Sequence, residues 1–133
     1  MRIAVLGSGG IGGYYGALLA RAGHEVAFIA RGAHLEAIQR RGVTVRTSEG
    51  EFTIPVTASA DTTGVGPVDL VLFSVKSYDT ETAAQALTPL MTQDTTVITF
   101  QNGLDNVGAI ASVAGAEAVL AGVVYVALQL AGP

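Results

Sequence analysis

Short apolar runs alternate along the chain with stretches whose apolar residues have helical spacing. Runs of strand length cover residues 3–6, 25–30, 69–75 and 95–100, and a longer one covers 118–128. The run at 69–75 is almost continuously apolar, which is typical of a strand buried on both faces of a parallel sheet. Helices are predicted between these runs, over 14–22, 32–41 and 107–113, and through 83–90 after a polar, cap-like opening at 77–82. This alternation predicts an α/β fold with a doubly wound, mostly parallel sheet.

One segment departs from that alternation. Residues 43–47 and 51–56 alternate apolar and polar side chains on either side of a three-residue turn, which is typical of a β-hairpin. Pro55 has no backbone N–H to donate, so the second strand is predicted to end there or to lie at an edge. Residues 57–67, rich in Thr, Gly and Ala, are predicted to form a loop. We therefore expect a β-hairpin insertion after the second helix.

The first strand leads into a glycine-rich turn with the sequence Gly7-Ser8-Gly9-Gly10-Ile11-Gly12. Three of its glycines have the spacing of a dinucleotide-binding turn: the first permits a tight exit, the second admits a pyrophosphate and the third allows close helix packing. The N-terminus of the following helix directs backbone N–H groups and a partial positive charge at phosphates. This spacing is a weak signal by itself in a chain with 17 glycines. A strand on each side of the turn and helix makes it a Rossmann-like nucleotide-binding unit.

Arg31 directly follows the second strand. In this fold the residue at that position meets the adenosine ribose of the dinucleotide. An acidic side chain there accepts hydrogen bonds from the 2′-hydroxyl of NAD, whereas an arginine pairs with the 2′-phosphate of NADP. Arg31 therefore predicts NADP(H), with a structural or solvated arginine as the alternative.

Two more polar residues follow predicted strands. Lys76 ends the run at 69–75, and Asn102 follows the run at 95–100. Taken singly, Lys76 could be a solvated charge and Asn102 a turn residue before Gly103. Because the carboxyl ends of parallel strands share one edge of the sheet, we expect both residues to converge with the glycine turn and Arg31.

Composition limits the other classes of function. A chain of 133 residues suits one domain, and a content of 50% apolar and 14% charged residues indicates a globular protein. The net charge of −4 argues against a nucleic-acid partner. The absence of cysteine excludes disulfides and thiolate metal sites, and the two histidines alone do not make a metal site. We find no targeting segment, and the longest apolar run is shorter than the roughly 20 residues of a membrane span, so no membrane partner and a cytoplasmic location are expected.

Residues 1–31, the segment Val75-Lys76-Ser77 and the segment Gln101-Asn102-Gly103 together resemble the N-terminal domain of the ketopantoate reductase family, the 2-dehydropantoate 2-reductases. The resemblance runs from Met1 to the end of the chain, and the hairpin is similar to the one that the family inserts after its second helix. It implies an NADPH-dependent oxidoreductase that reduces 2-dehydropantoate to pantoate on the route to pantothenate and coenzyme A.

The resemblance also assigns roles to residues. Residues 7–12 would hold the pyrophosphate of NADPH, and Arg31 its 2′-phosphate. Lys76 would line the cofactor cleft, while Asn102 would lie near the nicotinamide ribose and the 2-keto acid substrate. A backbone contact near Ala127 or Leu128 is a weaker assignment, because the alignment there is poor.

The family's proton-donating lysine lies in a helical C-terminal domain. We therefore expect residues 1–133 to be the NADP-binding domain of a longer enzyme, with no catalytic residue of its own and no activity alone. Two alternatives stay open: a stand-alone module that binds or senses NADP(H), and a related reductase that acts on another keto acid or an imine. A homodimer also stays open, since a domain separated from its second half can expose an apolar face.

Overall fold

The computed structural model describes residues 1–7, 10–75, 80–100 and 105–121. These ranges contain eight strands: β1 (Arg2–Leu6), β2 (Glu25–Ile29), β3 (Val43–Thr47), β4 (Gly50–Ile54), β5 (Thr57–Ser59), β6 (Leu70–Phe73), β7 (Thr96–Thr99) and β8 (Val119–Ala121). They also contain four α-helices: α1 (Gly10–Arg21), α2 (Gly32–Arg41), α3 (Thr80–Gln85) and α4 (Asp105–Ala114). Short 3-10 helices cover Thr88–Leu90 and Ala116–Ala118.

Six of the strands form one parallel sheet in the order β5-β2-β1-β6-β7-β8. The chain first moves outward from β1 through β2 to β5, then crosses to β6 on the other side of β1 and continues to β8. This reversal between β1 and β6 is the topological switch point of a doubly wound fold. The predicted Rossmann-like α/β fold is therefore confirmed.

The two faces of the sheet bury two separate apolar cores. Along β1, Ile3 and Val5 join a core completed by side chains of α1 and α2, whereas Ala4 and Leu6 join a core completed by α3 and α4. These four side chains are 5% exposed or less, as expected for a central strand covered on both faces.

The α1-side core becomes more exposed toward β8. Val5, Leu72, Ile98 and Leu120 lie in register across four neighbouring strands. Val5 is fully buried and Leu72 is 3% exposed, but Ile98 is only half-buried and Leu120 is 56% exposed. An apolar side chain is thus exposed at this edge of the described sheet.

The predicted hairpin is present as the antiparallel pair β3 and β4, which forms its own two-stranded sheet. Its second strand ends at Ile54, directly before Pro55, as predicted. The hairpin packs on the C-terminal part of α1, where the Arg21 guanidinium lies 4.4 Å from the centre of the Phe52 ring. This contact combines packing with a cation–π attraction.

Several boundaries differ from the sequence-based prediction. Helix α1 begins at Gly10 rather than at residue 14, because packing against β1 outweighs the low helix propensity of its glycines. Helix α3 ends at Gln85, and the predicted remainder contains a 3-10 helix with Pro89 in its first turn. Strand β6 ends at Phe73, two residues early, and helix α4 begins at Asp105, two residues early.

The predicted loop at 57–67 was wrong at its start, where β5 occupies Thr57–Ser59. This strand pairs with β2 at the sheet edge, and three residues are too short to show a strand period. Of the predicted last strand at 118–128, only Val119–Ala121 falls within the described residues. None of the helices in the described ranges is long and apolar enough to span a bilayer.

Candidate functional site

The glycine turn leaves the sheet between the carboxyl ends of β1 and β6. Gly7 follows β1 with a φ of +89°, which favours glycine. A Cβ at this position would lie 2.5 Å from the backbone nitrogen of Val75, the second residue after β6. Both the backbone conformation and the close approach therefore require glycine, as the sequence predicted for a tight strand exit.

The remaining described residues of the turn, Gly10, Ile11 and Gly12, form the first turn of α1. Gly12 is buried, and a Cβ there would overlap the carbonyl oxygen of Gly7 and lie 2.9 Å from Cγ1 of Val5. The missing side chain thus lets the helix lie directly on the strand. Helix α1 carries no acidic residue in its first turn, so no carboxylate opposes the positive end of its dipole.

Sequence reasoning missed Ser74, which directly follows β6. Its backbone N–H donates to the Leu6 carbonyl at 2.9 Å, and its hydroxyl donates to the Gly7 carbonyl at 2.6 Å. The sequence signal for it is faint: Ser74 is a single hydroxyl within the apolar run at 69–75, and the strand was predicted to continue through it. Ser74 joins the end of β6 to the start of the glycine turn.

Arg31 lies at the same edge of the sheet as Gly7. Leu6 of β1 pairs in register with Ile29 of β2, so the residues after both strands emerge side by side. Arg31 is exposed, and its side chain makes no hydrogen bond or ion pair with another described residue. It precedes α2, whose first turn also lacks acidic residues. Its guanidinium is therefore available to an anionic ligand.

Four predicted site residues, Ser8, Gly9, Lys76 and Asn102, lie outside the described residues. The same holds for the weaker assignments at Ala127 and Leu128. Among the described residues, Gly7, the first turn of α1 and Arg31 lie at this edge of the sheet, and their convergence on one cofactor stays a prediction.

An aromatic cluster joins α1 to the end of β7. Tyr15 of α1 stacks on Phe100, the residue after β7, with ring centres 5.6 Å apart and an interplanar angle of 19°. Tyr14 meets Tyr15 edge to face at 5.0 Å. Tyr15 and Phe100 both pack against the α1-side core, so this aromatic pair serves the packing of the fold.

No three metal-ligating side chains of the His, Cys, Asp and Glu types lie together within the described ranges. The described edge instead offers a glycine cradle formed by Gly7 and Gly12, the N-terminus of α1 without a nearby acidic residue, and the guanidinium of Arg31. This combination suits an anionic ligand of nucleotide type.

Comparison with known families gives this edge a context. The family model described as ketopantoate reductase PanE/ApbA matches residues 3–133, nearly the whole chain. The chain belongs to this family. Membership confirms the resemblance identified from the turn and the two strand-end segments.

Among the ketopantoate reductases, the 2-dehydropantoate 2-reductase of Mesorhizobium japonicum is 34% identical over the full chain. That of Pyrococcus horikoshii is 39% identical over 80% of the chain. The chain covers 47% and 34% of these two proteins, so it spans less than half the length of the curated relatives it matches.

Two solved structures show what this domain is similar to. The PanE/ApbA family ketopantoate reductase from Ralstonia eutropha is 44% identical, with a TM-score of 0.92 over all of this chain and 44% of its own. The ternary structure of a D-mandelate dehydrogenase with NADH and anilino(oxo)acetate is 26% identical, with a TM-score of 0.83 over 92% of this chain and 40% of its own.

Proposed function

We propose that this chain is the cofactor-binding domain of an NADPH-dependent 2-keto acid reductase that reduces 2-dehydropantoate to pantoate. The observation that carries the proposal is the glycine cradle at the switch point, in a chain that belongs to the ketopantoate reductase family. Ligands of doubly wound folds bind at this point, outside the carboxyl ends of the strands.

The described residues fit a dinucleotide. A side chain at residue 7 or residue 12 would collide with neighbouring backbone, so glycine at both positions permits the tight strand exit and the close helix packing that a dinucleotide-binding turn requires. The first turn of α1 offers backbone N–H groups that need a partner outside the helix. We assign the pyrophosphate to residues 7–12, the wall of the cofactor cleft to Lys76, and the nicotinamide ribose with the substrate to Asn102.

Arg31 supports NADPH over NADH. Its exposed guanidinium precedes the N-terminus of α2, so a 2′-phosphate would meet a fixed positive charge and a helix dipole at the same point. The neutral 2′-hydroxyl of NADH forms no ion pair with that charge. The family and the D-mandelate dehydrogenase with NADH support a nicotinamide cofactor, and Arg31 is the basis for choosing its phosphorylated form.

When bound, the reduced nicotinamide supplies the hydride that reduces the keto carbon. The residues of this chain would bind the dinucleotide, fix its orientation through the pyrophosphate and 2′-phosphate, and present it at the sheet edge. Protonation of the developing alkoxide needs an acid. We assign that acid to a helical domain such as the family resemblance implies, outside this chain.

The substrate proposal follows the relatives, which are named as 2-dehydropantoate 2-reductases. A second candidate is another 2-keto acid, because a D-mandelate dehydrogenase holding anilino(oxo)acetate has a closely similar domain. In both cases the partner is a small keto acid in the cytoplasm, and neither nucleic acid nor a membrane is involved. Substrate selection falls mainly to parts of the enzyme beyond this domain.

The test is a side-by-side titration of the chain with NADPH and NADH at fixed salt. We expect NADPH to bind at least about tenfold more tightly, the difference that one charge-assisted contact provides. Equal affinity would remove the 2′-phosphate assignment, and no binding of either would contradict a cofactor-binding domain. Turnover of a longer protein containing this chain, with 2-dehydropantoate against the keto acid of mandelate, separates the two substrates.

A further inference from the structure

We propose that Ser74 is a positioning residue that orients the Gly7 peptide group, where the glycine turn begins, for pyrophosphate binding. This inference rests on the proposed function, because it concerns how the same site binds a dinucleotide. It starts from the 2.6 Å hydrogen bond between the Ser74 hydroxyl and the carbonyl oxygen of Gly7.

Ser74 is itself held firmly. Its backbone N–H continues the β1–β6 ladder by donating to Leu6 at 2.9 Å, one residue beyond the end of β6. The side chain is partly buried against the turn. Since the backbone of Ser74 belongs to the rigid sheet edge, its hydroxyl is a fixed donor rather than a mobile surface group.

The hydroxyl has one proton, and it donates that proton in a hydrogen bond to the Gly7 carbonyl oxygen. The Gly7 carbonyl belongs to the peptide group that opens the turn. Because a peptide group is planar, fixing its oxygen fixes the orientation of the whole group. The bond from Ser74 therefore sets the direction in which the turn begins.

The contact also reaches α1. A Cβ at Gly12 would overlap both the Gly7 oxygen and the Ser74 hydroxyl oxygen, so these three residues form one closely packed junction. Helix α1, strand β1 and the end of β6 meet there. Loss of the Ser74 hydroxyl would release the Gly7 carbonyl without changing either glycine.

Comparing the affinities for ligands with and without a pyrophosphate tests this role more directly than measuring thermal stability does. Ligands that use the turn should depend on Ser74, whereas ligands that use only the 2′-phosphate position should not. NADPH and NADH both contain the pyrophosphate, and adenosine 2′-monophosphate lacks it. If the hydrogen bond were merely structural, its loss would lower thermal stability and would change the affinities for all three ligands alike.

The experiment compares the wild-type chain with Ser74→Ala by titration with all three ligands. We expect Ser74→Ala to weaken NADPH and NADH by a similar factor of about tenfold, near the upper range for one hydrogen bond, and to leave adenosine 2′-monophosphate unchanged. Ser74→Thr keeps the hydroxyl and is expected to recover most of the dinucleotide affinity. The matched control is Ser112→Ala, which removes a serine hydroxyl that donates to the Ala109 carbonyl at 2.7 Å in α4.

The outcomes separate the two proposals. If wild type binds the dinucleotides and Ser74→Ala binds them equally well, the positioning role is wrong and the proposed function stands. If Ser74→Ala weakens all three ligands to the same extent, the hydroxyl supports the fold rather than the pyrophosphate, and the role is again wrong. If Ser74→Ala does not fold, failure of the folded Ser74→Thr variant to approach wild-type affinity overturns it. If wild type binds no dinucleotide, the proposed function fails and the role of Ser74 falls with it.

Discussion

Gly16 of α1 lies directly against the ring of Phe28 in β2: a Cβ added to Gly16 would lie 2.6 Å from Cζ of Phe28 and 2.8 Å from Cγ2 of Val5. Phe28 is fully buried, so its ring has no solvent to move into. We therefore expect Gly16→Ala to destabilise the chain by about 1–3 kcal/mol, the usual cost of overpacking a core. Chemical denaturation followed by circular dichroism measures this change.

Gly108 provides the matched control for that substitution. It also lies within a helix, α4, but nothing lies within 4 Å of the position that its Cβ would take. Gly108→Ala should stabilise the chain by about 0.5–1 kcal/mol, because alanine has the higher helix propensity. Opposite signs for the two variants would establish that packing, not propensity, requires glycine at position 16, and a stabilising Gly16→Ala would contradict the close approach.

Elements whose signals are local could be predicted from the sequence. Helix α2 has an amphipathic pattern and a glycine directly after it, and both of its ends, Gly32 and Arg41, were predicted. Strand β5 was not, because its three residues are strand only by pairing with β2. The same distinction holds in the site. The spacing of Gly7 and Gly12 is visible in the sequence, whereas the bond from Ser74 to Gly7 joins residues 67 positions apart and depends on the completed sheet.

Thr95 connects two segments through a buried hydroxyl that sequence reasoning did not single out. Thr95 is only 3% exposed. Its hydroxyl donates to the Val68 carbonyl at 2.6 Å and accepts from the Thr92 N–H at 2.9 Å. Thr95→Val would leave both backbone groups without this partner, so we expect a loss of about 1–3 kcal/mol in the free energy of unfolding.

Thr44→Val is the control for the buried threonine. Its hydroxyl contacts that of Thr53 at 2.8 Å on the exposed face of the hairpin, where water can replace the bond. The change in stability should stay within about 0.5 kcal/mol, as for most surface substitutions. Urea denaturation of both variants decides the matter, and equal losses would argue against a special role for the buried hydroxyl.

Asp61 makes stability depend on pH. The Thr63 hydroxyl, the Thr63 N–H at 2.7 Å and the Gly64 N–H at 3.3 Å all donate to its carboxylate, and these bonds lower the pKa of Asp61 below 3.8. Because the native pKa is below the unfolded value, the charged carboxylate stabilises the fold above about pH 4, and this contribution is lost as the pH falls through the native pKa.

Thermal denaturation of wild type and Asp61→Asn between pH 2 and pH 7 tests this dependence. We expect wild type to be the more stable protein near neutral pH and the difference to shrink in acid. Thr63→Val removes the largest cause of the shift and should reduce the pH dependence without removing the carboxylate. A difference between wild type and Asp61→Asn that is constant across the whole range would contradict the assignment.

The proposed division of labour predicts that this chain alone does not catalyse reduction. Hydride transfer needs the nicotinamide held against the keto carbon and an acid for the developing alkoxide, and the residues proposed here supply only the first. When the chain is mixed with NADPH and 2-dehydropantoate, the NADPH absorbance should fall no faster than it does without the chain. Clear turnover would show that an acid, with Lys76 as the first candidate, lies within these 133 residues.

Arg31→Ala should weaken NADPH far more than NADH. Arg31 is exposed and directly precedes α2, and only NADPH carries the 2′-phosphate that would pair with its guanidinium. The expected loss is on the order of 1.5–3 kcal/mol in NADPH binding, the range for a charge-assisted hydrogen bond, with little change for NADH. Arg40→Ala is the control, because Arg40 is also exposed and lies at the opposite end of α2, in its last turn. Calorimetric titration of both variants separates a local contact from a general effect of net charge. If both variants weaken NADPH binding equally, the effect is only long-range attraction. If Arg31→Ala weakens NADPH and NADH binding equally, Arg31 lies away from the 2′-phosphate.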